Sequence, residues 1–181
     1  MTPNFPVLKT ERLLLREIIP ADIEYVFKGL SDEKVIRHFG VSYSTLEATE
    51  EQMKWYAGMM EKDTGRCWAI CSADNQLFYG VCTLNFWKKE HRCVETGYWI
   101  FPSYWGKGII PEALRAVIDY GFDTMNLHRI AAEVEDDNEG SMAVMRKLGF
   151  VLEGTRRECE IKDGRYINLN MYALLKQEPS V

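Results

Sequence analysis

The chain has 181 residues, of which 46% are hydrophobic and 27% charged, a balance that suits one globular domain with a substantial core. A formal net charge of -5 argues against general nucleic-acid binding, which rests on neutralising phosphates with Lys and Arg. No apolar run approaches the roughly 20 residues that would span a bilayer, and charges flank the short run Leu13 to Leu15 near the start, unlike a secretory signal, so a soluble cytoplasmic protein is expected.

Arg12 to Ile18 predicts a strand, and Pro20 introduces a helix over Ala21 to Leu30 with Ile23, Val26, Phe27 and Leu30 on one face. A short helical piece near Glu33 to Phe39 precedes a longer one from Leu46 to Glu61, where Met53, Tyr56 and Met60 recur at helical spacing. Cys67 to Ser72 and Phe78 to Asn85 flank Ala73-Asp74-Asn75-Gln76, the pattern of a hairpin. The next strand, Val94 to Phe101, alternates Val94, Thr96, Tyr98 and Ile100 with Glu95, Gly97 and Trp99. From Lys107 a helix packed on a sheet is expected, because Ile110, Leu114, Ile118, Gly121 and Met125 repeat at three- and four-residue steps. Arg129 to Val134 predicts a strand. Asn138 to Leu148 predicts a helix, prepared by acidic Glu135-Asp136-Asp137 and stopped by Gly149. Phe150 to Arg157 and Arg165 to Leu174 then form a hairpin around Lys162-Asp163-Gly164.

No repeat, low-complexity tract or linker interrupts this order, so residues 1–181 are expected to form a single domain. Cys67, Cys71, Cys82, Cys93 and Cys159 contain no C-x-x-C pair, and His38, His91 and His128 lie far apart in sequence. Free thiols are therefore expected rather than a disulfide frame, and no metal.

The segment YWGKGIIPEAL, Tyr104 to Leu114, sets Gly106 and Gly108 between a strand end and a first helical turn, where several backbone N–H groups lack intrahelical partners. Such a turn can hold a phosphate, since glycine lets an anion approach the main chain and the helix dipole favours negative charge. Pro111 fits a first turn, where its missing N–H costs nothing. A plain tight turn explains the same two glycines. The segment is neither a G-x-x-x-x-G-K-[ST] loop nor a G-x-G-x-x-G fingerprint, because Pro111 occupies the third glycine position.

This bend is followed by LHRIAAEV, NEGSMAVMRKLGF, LEGTRR and a final NMYAL, and with TERLLLRE at Thr10 to Glu17 that order resembles the GNAT acyltransferases, nearest the branch of ribosomal-protein N-terminal acetyltransferases. The resemblance implies an α/β domain with a mixed, mostly antiparallel sheet of six to seven strands and about four helices. Two neighbouring parallel strands, Val94 to Phe101 and Arg129 to Val134, would splay apart to hold acetyl-CoA. The superfamily's loop Q/R-x-x-G-x-G/A is matched by Ser103-Tyr104-Trp105-Gly106-Lys107-Gly108 at both glycines but not at Ser103. By resemblance, Trp105, Gly106, Lys107, Gly108, Ile109 and Ile110 cradle the pyrophosphate, main-chain N–H groups near Ile100 and Phe101 face the thioester, and Asn138 meets the pantetheine region. Lys107 is equally a solvated lysine, and Asn138 equally an N-cap.

The implied reaction is attack by a neutral amine on the acetyl thioester, which calls for a base, a polarised carbonyl and an acid for the departing thiolate. Many superfamily members supply that acid as a tyrosine where Met145 stands, and Met145 cannot donate a proton. In the ribosomal-protein branch a serine of N-x-x-S lies near the sulfur, which makes Ser141 the candidate acid. Glu160, in RECE, and Glu95, on the strand Val94 to Phe101, are the candidate bases, with Glu160 preferred. Either glutamate is equally a surface carboxylate paired with a neighbouring Arg. Most of Trp55, Trp68, Trp87, Tyr98, Trp99, Tyr104 and Trp105 fall at core-compatible positions, and they read as core or acceptor-pocket walls rather than a base-stacking platform. The expected function is N-acetyl transfer from acetyl-CoA to a protein N-terminus or a small amine such as a polyamine, antibiotic or metabolite. Cysteine and histidine spacing, charge and hydropathy give the expectation of no metal and no nucleic-acid or membrane partner, and the resemblance adds a homodimer, since family members often pair. The rival is a silent CoA-binding module, suggested by Met145 and Ser103.

Overall fold

The alternating stretches of the sequence pair into one sheet, within residues 5–176 that the computed structural model describes. Its strands are β1 (Leu8–Lys9), β2 (Leu13–Glu17), β3 (Arg66–Ser72), β4 (Phe78–Lys88), β5 (Cys93–Ile100), β6 (Arg129–Glu135), β7 (Val151–Lys162) and β8 (Arg165–Leu175). They lie in the order β1-β2-β3-β4-β5-β6-β8-β7. Every neighbouring pair is antiparallel except β5 with β6. The helices are α1 (Ile23–Leu30), α2 (Glu33–Ile36), α3 (Leu46–Glu61), α4 (Ile109–Asp123) and α5 (Glu139–Leu148).

Each face of the sheet carries its own core. On one, α4 and α5 pack over Val94, Ile100, Ile130, Ala132, Val134 and Tyr172. The periodicity of α4 is used in full: Ile110, Ala113, Leu114, Val117, Ile118 and Gly121 are buried on one stripe. On the other face α1 and α3 cover Cys67, Ala69, Val81, Trp99 and Phe101. Strand β5 serves both cores, because successive side chains point to opposite faces. Local signals fix the helix ends. Thr45 Oγ1 accepts from the Ala48 N–H at the start of α3, and Gly149 stops α5 with a φ of 87° that a Cβ would disfavour.

The sheet has eight strands rather than six or seven, and five helices rather than four. The added strand β1 is two residues long, too short to carry a period. Strand β7 runs past the expected Arg157 to Lys162, with a register shift between Arg156 and Glu160 where Glu158 takes a φ of 51°. An extra unpaired stretch of this kind breaks the alternation that marks a strand. Pro20–Asp22 forms a 3-10 turn ahead of α1 instead of its first residues.

Candidate active site

The opening at the centre of the sheet comes from a short pairing. Strands β5 and β6 are in register at Cys93–Arg129, Val94–Ile130 and Glu95–Ala131 and pair no further. From Thr96 onward the two parallel strands part. On the β4 side, Phe101 N–H donates to Tyr79 O at 3.0 Å. Since hydrogen-bonded and non-bonded pairs alternate along an antiparallel ladder, the main-chain groups of Tyr98 and Ile100 point away from β4 into the gap. Ile100 O is taken by the Trp105 indole N–H at 3.0 Å, which leaves the Ile100 N–H facing the opening. Phe101 has its N–H committed and a buried side chain.

Beyond β5 the chain turns through Pro102–Tyr104 into α4. Trp105 N–H donates to Pro102 O at 3.1 Å, which removes it from the expected cradle. The N–H groups of Gly106, Lys107, Gly108, Ile109 and Ile110 have no partner among the described residues. Gly106 and Gly108 hold φ of 72° and 74°, conformations that L side chains rarely adopt. Five consecutive donors at the positive end of a 15-residue helix fit a pyrophosphate, and with the gap beside them the residues present fit acetyl-CoA. Lys107 Nζ lies over the Tyr104 ring, 5.3 Å from its centroid, and Ser103 is exposed.

Arg12 is a contributor that the sequence did not single out. Its Nη1 donates to Lys107 O at 3.2 Å and its Nε to Glu112 at 2.7 Å, so the residue just ahead of β2 braces the loop and the first turn of α4. Burial pushes the Glu112 carboxyl up, but hydrogen bonds from Thr10 and Arg12 outweigh it and hold the group below its ordinary range. The pairing of a loop-bracing arginine with a glutamate 100 residues away leaves no local sequence signal.

Asn138 caps α5, its Oδ1 accepting from the Ser141 N–H at 3.0 Å. The Ser141 hydroxyl lies 2.9 Å from that of Tyr98, which reaches across from β5. Met145, where an acid is expected in much of the superfamily, is 1% exposed in the core. Side-chain alternation puts Glu95, Ala131, Glu133 and Glu135 on the α1–α3 face, opposite Tyr98. Glu95 stands at the last paired position before the strands part. Its burial, together with the nearby Glu133 carboxylate, raises its pKa above the usual value, and Lys88 and Arg156 only partly offset this. Glu160 follows the β7 irregularity, opposite Ile167, on an exposed edge strand. Its carboxylate makes no hydrogen bond or ion pair with Ser141, Glu95 or any other described residue.

Further along the same face, Glu135 is held by Lys162 at 2.5 Å and by His38 at 3.1 Å, and Asp137 pairs with His38 at 3.4 Å and Arg37 at 3.6 Å. The fold thus joins His38 to carboxylates distant in sequence. Lys162 and Arg37 already offset the charge of these two carboxylates.

A family described as an acetyltransferase (GNAT) domain matches residues 12–151. An uncharacterized N-acetyltransferase of Bacillus subtilis, YoaA, is 32% identical over 173 residues, 95% of this chain and 98% of its own. The ribosomal-protein-serine acetyltransferase of Escherichia coli is 34% identical over 52% of each chain. The spermidine N(1)-acetyltransferase of that organism is 29% identical over 85% of this chain and 81% of its own. Among solved structures, a GNAT-family acetyltransferase from Bacillus anthracis superposes with a TM-score of 0.83 at 28% identity, covering 94% of this chain and 98% of that one.

Proposed function

The chain belongs to the GNAT acetyltransferase family, and from that premise we propose that it acetylates the N-terminal amine of a polypeptide with acetyl-CoA as donor. The observation that carries the donor assignment is the run of five unpartnered N–H groups from Gly106 to Ile110 beside the parted strands. Bound there, acetyl-CoA supplies an acetyl group activated as a thioester. The Ile100 N–H faces the gap and serves to hold the thioester oxygen as negative charge grows on it. Glu95 takes the proton from the incoming ammonium, directly or through water, on the α1–α3 side. Ser141 meets the departing sulfur from the other side. What supports Glu95 over Glu160 is its burial and raised pKa, which bring a carboxylate nearer the working pH of a general base.

The polypeptide acceptor is supported by similarity to the ribosomal-protein-serine enzyme. A second reading, a polyamine acceptor, is favoured by the Glu95 carboxylate, which has no ion-pair partner among the described residues, and by the spermidine-acetylating relative. The two are separated by offering acetyl-CoA with a serine-initiated peptide or with spermidine and following thiol release and product mass. We expect the larger kcat/KM with the peptide. A spermidine value more than about 10-fold higher, equivalent to ~1.4 kcal/mol, favours the second reading. CoA binding without transfer to any amine points to a silent module. Glu95→Gln should slow transfer far more than Glu160→Gln, and the reverse order assigns the base to Glu160.

A further inference from the structure

With Met145 sealed in the core, Ser141 is the hydroxyl that α5 presents towards the gap. Its main chain is fixed by the Asn138 cap. Its side chain meets a phenol that arrives from another element. Tyr98 lies three residues beyond Glu95, the last residue of β5 paired with β6, so its ring crosses the region where the strands have separated. The Tyr98 hydroxyl has Ser141 as its one partner among the described residues, at 2.9 Å. The half-buried phenol donates its hydrogen to Ser141 Oγ. Ser141 Oγ–H in turn finds no acceptor on the described residues. Its hydrogen is left to point elsewhere.

We propose that Tyr98 is a positioning residue that, by donating to Ser141 Oγ, turns the serine hydroxyl hydrogen towards the sulfur that leaves during acetyl transfer. This role rests on the assignment of Ser141 to the thiolate side. As the amine nitrogen bonds to the acetyl carbon and the carbon–sulfur bond breaks, the electron pair passes to sulfur, and Ser141 donates a hydrogen bond to it. The proton that completes the CoA thiol comes from the attacking amine by way of the base and solvent, while Tyr98 keeps its own. Burial supports that constancy, since it holds the Tyr98 pKa up to about 12 and the phenol remains a donor across the working range.

The test compares Tyr98→Phe, Ser141→Ala and the double variant, with acetyl-CoA and a saturating serine-initiated peptide. Tyr98→Phe should lower kcat about 10-fold, with KM for acetyl-CoA changed by less than ~2-fold, as expected for an aid used in the transition state. In the Ser141→Ala background it should cost nothing more, because Tyr98 acts through Ser141. Equal losses in both backgrounds, or full kcat in Tyr98→Phe beside a slow Ser141→Ala, overturn the role of Tyr98 alone. Full kcat in Ser141→Ala, or no thiol release by the wild type with any amine, defeats the underlying assignment and Tyr98's role with it. Should Tyr98→Phe not fold, tetrafluorotyrosine at position 98 keeps the ring and hydroxyl but ionises at lower pH. At pH values above the rise that marks the base, its kcat should then fall with rising pH where the wild type stays level, and a level profile there overturns the proposal.

Discussion

At Gly108 two demands fall on one residue. Its φ of 74° excludes most side chains, and its N–H is one of the five without a partner that we assign to the anion. A Cβ there would stand 3.6 Å from Arg12 Nη2, so the space is bounded by the arginine that braces the loop. Gly108→Val should weaken CoA binding about 10-fold or more, ~1.4 kcal/mol. Stability should fall too, by on the order of 1–3 kcal/mol for a branched residue at positive φ. Calorimetric titration with CoA decides the first effect and thermal unfolding the second, and unchanged affinity would sink the cradle assignment. Glu95 makes a different prediction. A carboxyl whose pKa is higher folded than unfolded binds its proton more tightly when folded, so its contribution to stability is lost as pH rises through that pKa. Glu95→Gln should therefore raise the melting temperature at neutral pH, by up to ~2 °C given partial solvent screening. The gain should shrink as pH falls below the carboxylate range. In activity, the same variant should lose the rise of kcat with pH that marks the base, and a retained rise assigns that ionisation to another group.

Helix α5 shows how one cap serves two purposes at the scale of an element. Asn138 satisfies a first-turn N–H, and the N–H it takes belongs to Ser141. Asn138→Ala should cost ~1 kcal/mol through the lost cap, or about 2–4 °C in melting temperature for a chain of this size. It should also lower kcat, because Ser141 loses one of its two anchors. Asn138→Ser retains a capping oxygen and should recover most of the stability, which thermal scans of both variants check. The start of α4 is held in another way: the Thr10, Arg12 and Glu112 hydrogen bonds fasten its first turn to the turn between β1 and β2, while its leading N–H groups stay open. A helix start with unspent donors needs such outside support, since its own ladder supplies none.

The whole molecule places a core on each face of the sheet and the opening between β5 and β6 at the seam. Three of the five cysteines, Cys67, Cys71 and Cys82, are buried, and none of the five is in a disulfide. Burial raises the thiol pKa of Cys71 to about 11 and moves Cys67 and Cys82 upward as well. Thiols that are both enclosed and protonated react slowly. A thiol reagent should titrate at most Cys93 and Cys159 promptly in the native protein and all five cysteines in denaturant. Rapid native reaction of a third thiol would contradict this packing, and a count below five after unfolding without reductant would reveal a disulfide.

Much of the fold was legible because its signals are local. Period-two alternation in Val94 to Ile100, helical spacing through Ile110, Leu114 and Ile118, and turn residues at Asp163-Gly164 each report on a few neighbouring residues. Gly106, Gly108 and Pro111 likewise announced a tight bend into a helix start with open N–H groups, since glycine conformation and a missing N–H are properties of single residues. Two-residue β1 and the irregular end of β7 escaped because neither sustains a period. Tertiary structure decided what depends on distant residues meeting. The gap exists because β5 and β6 pair at three positions and then diverge under the twist and packing of two different cores, a property of neither strand by itself. The bond from Tyr98 to Ser141, the brace from Arg12 to Glu112 and the raised pKa of Glu95 all arise there. A sequence names the groups that can donate, accept or ionise, but partner distance and desolvation act through space and are set when the chain closes on itself.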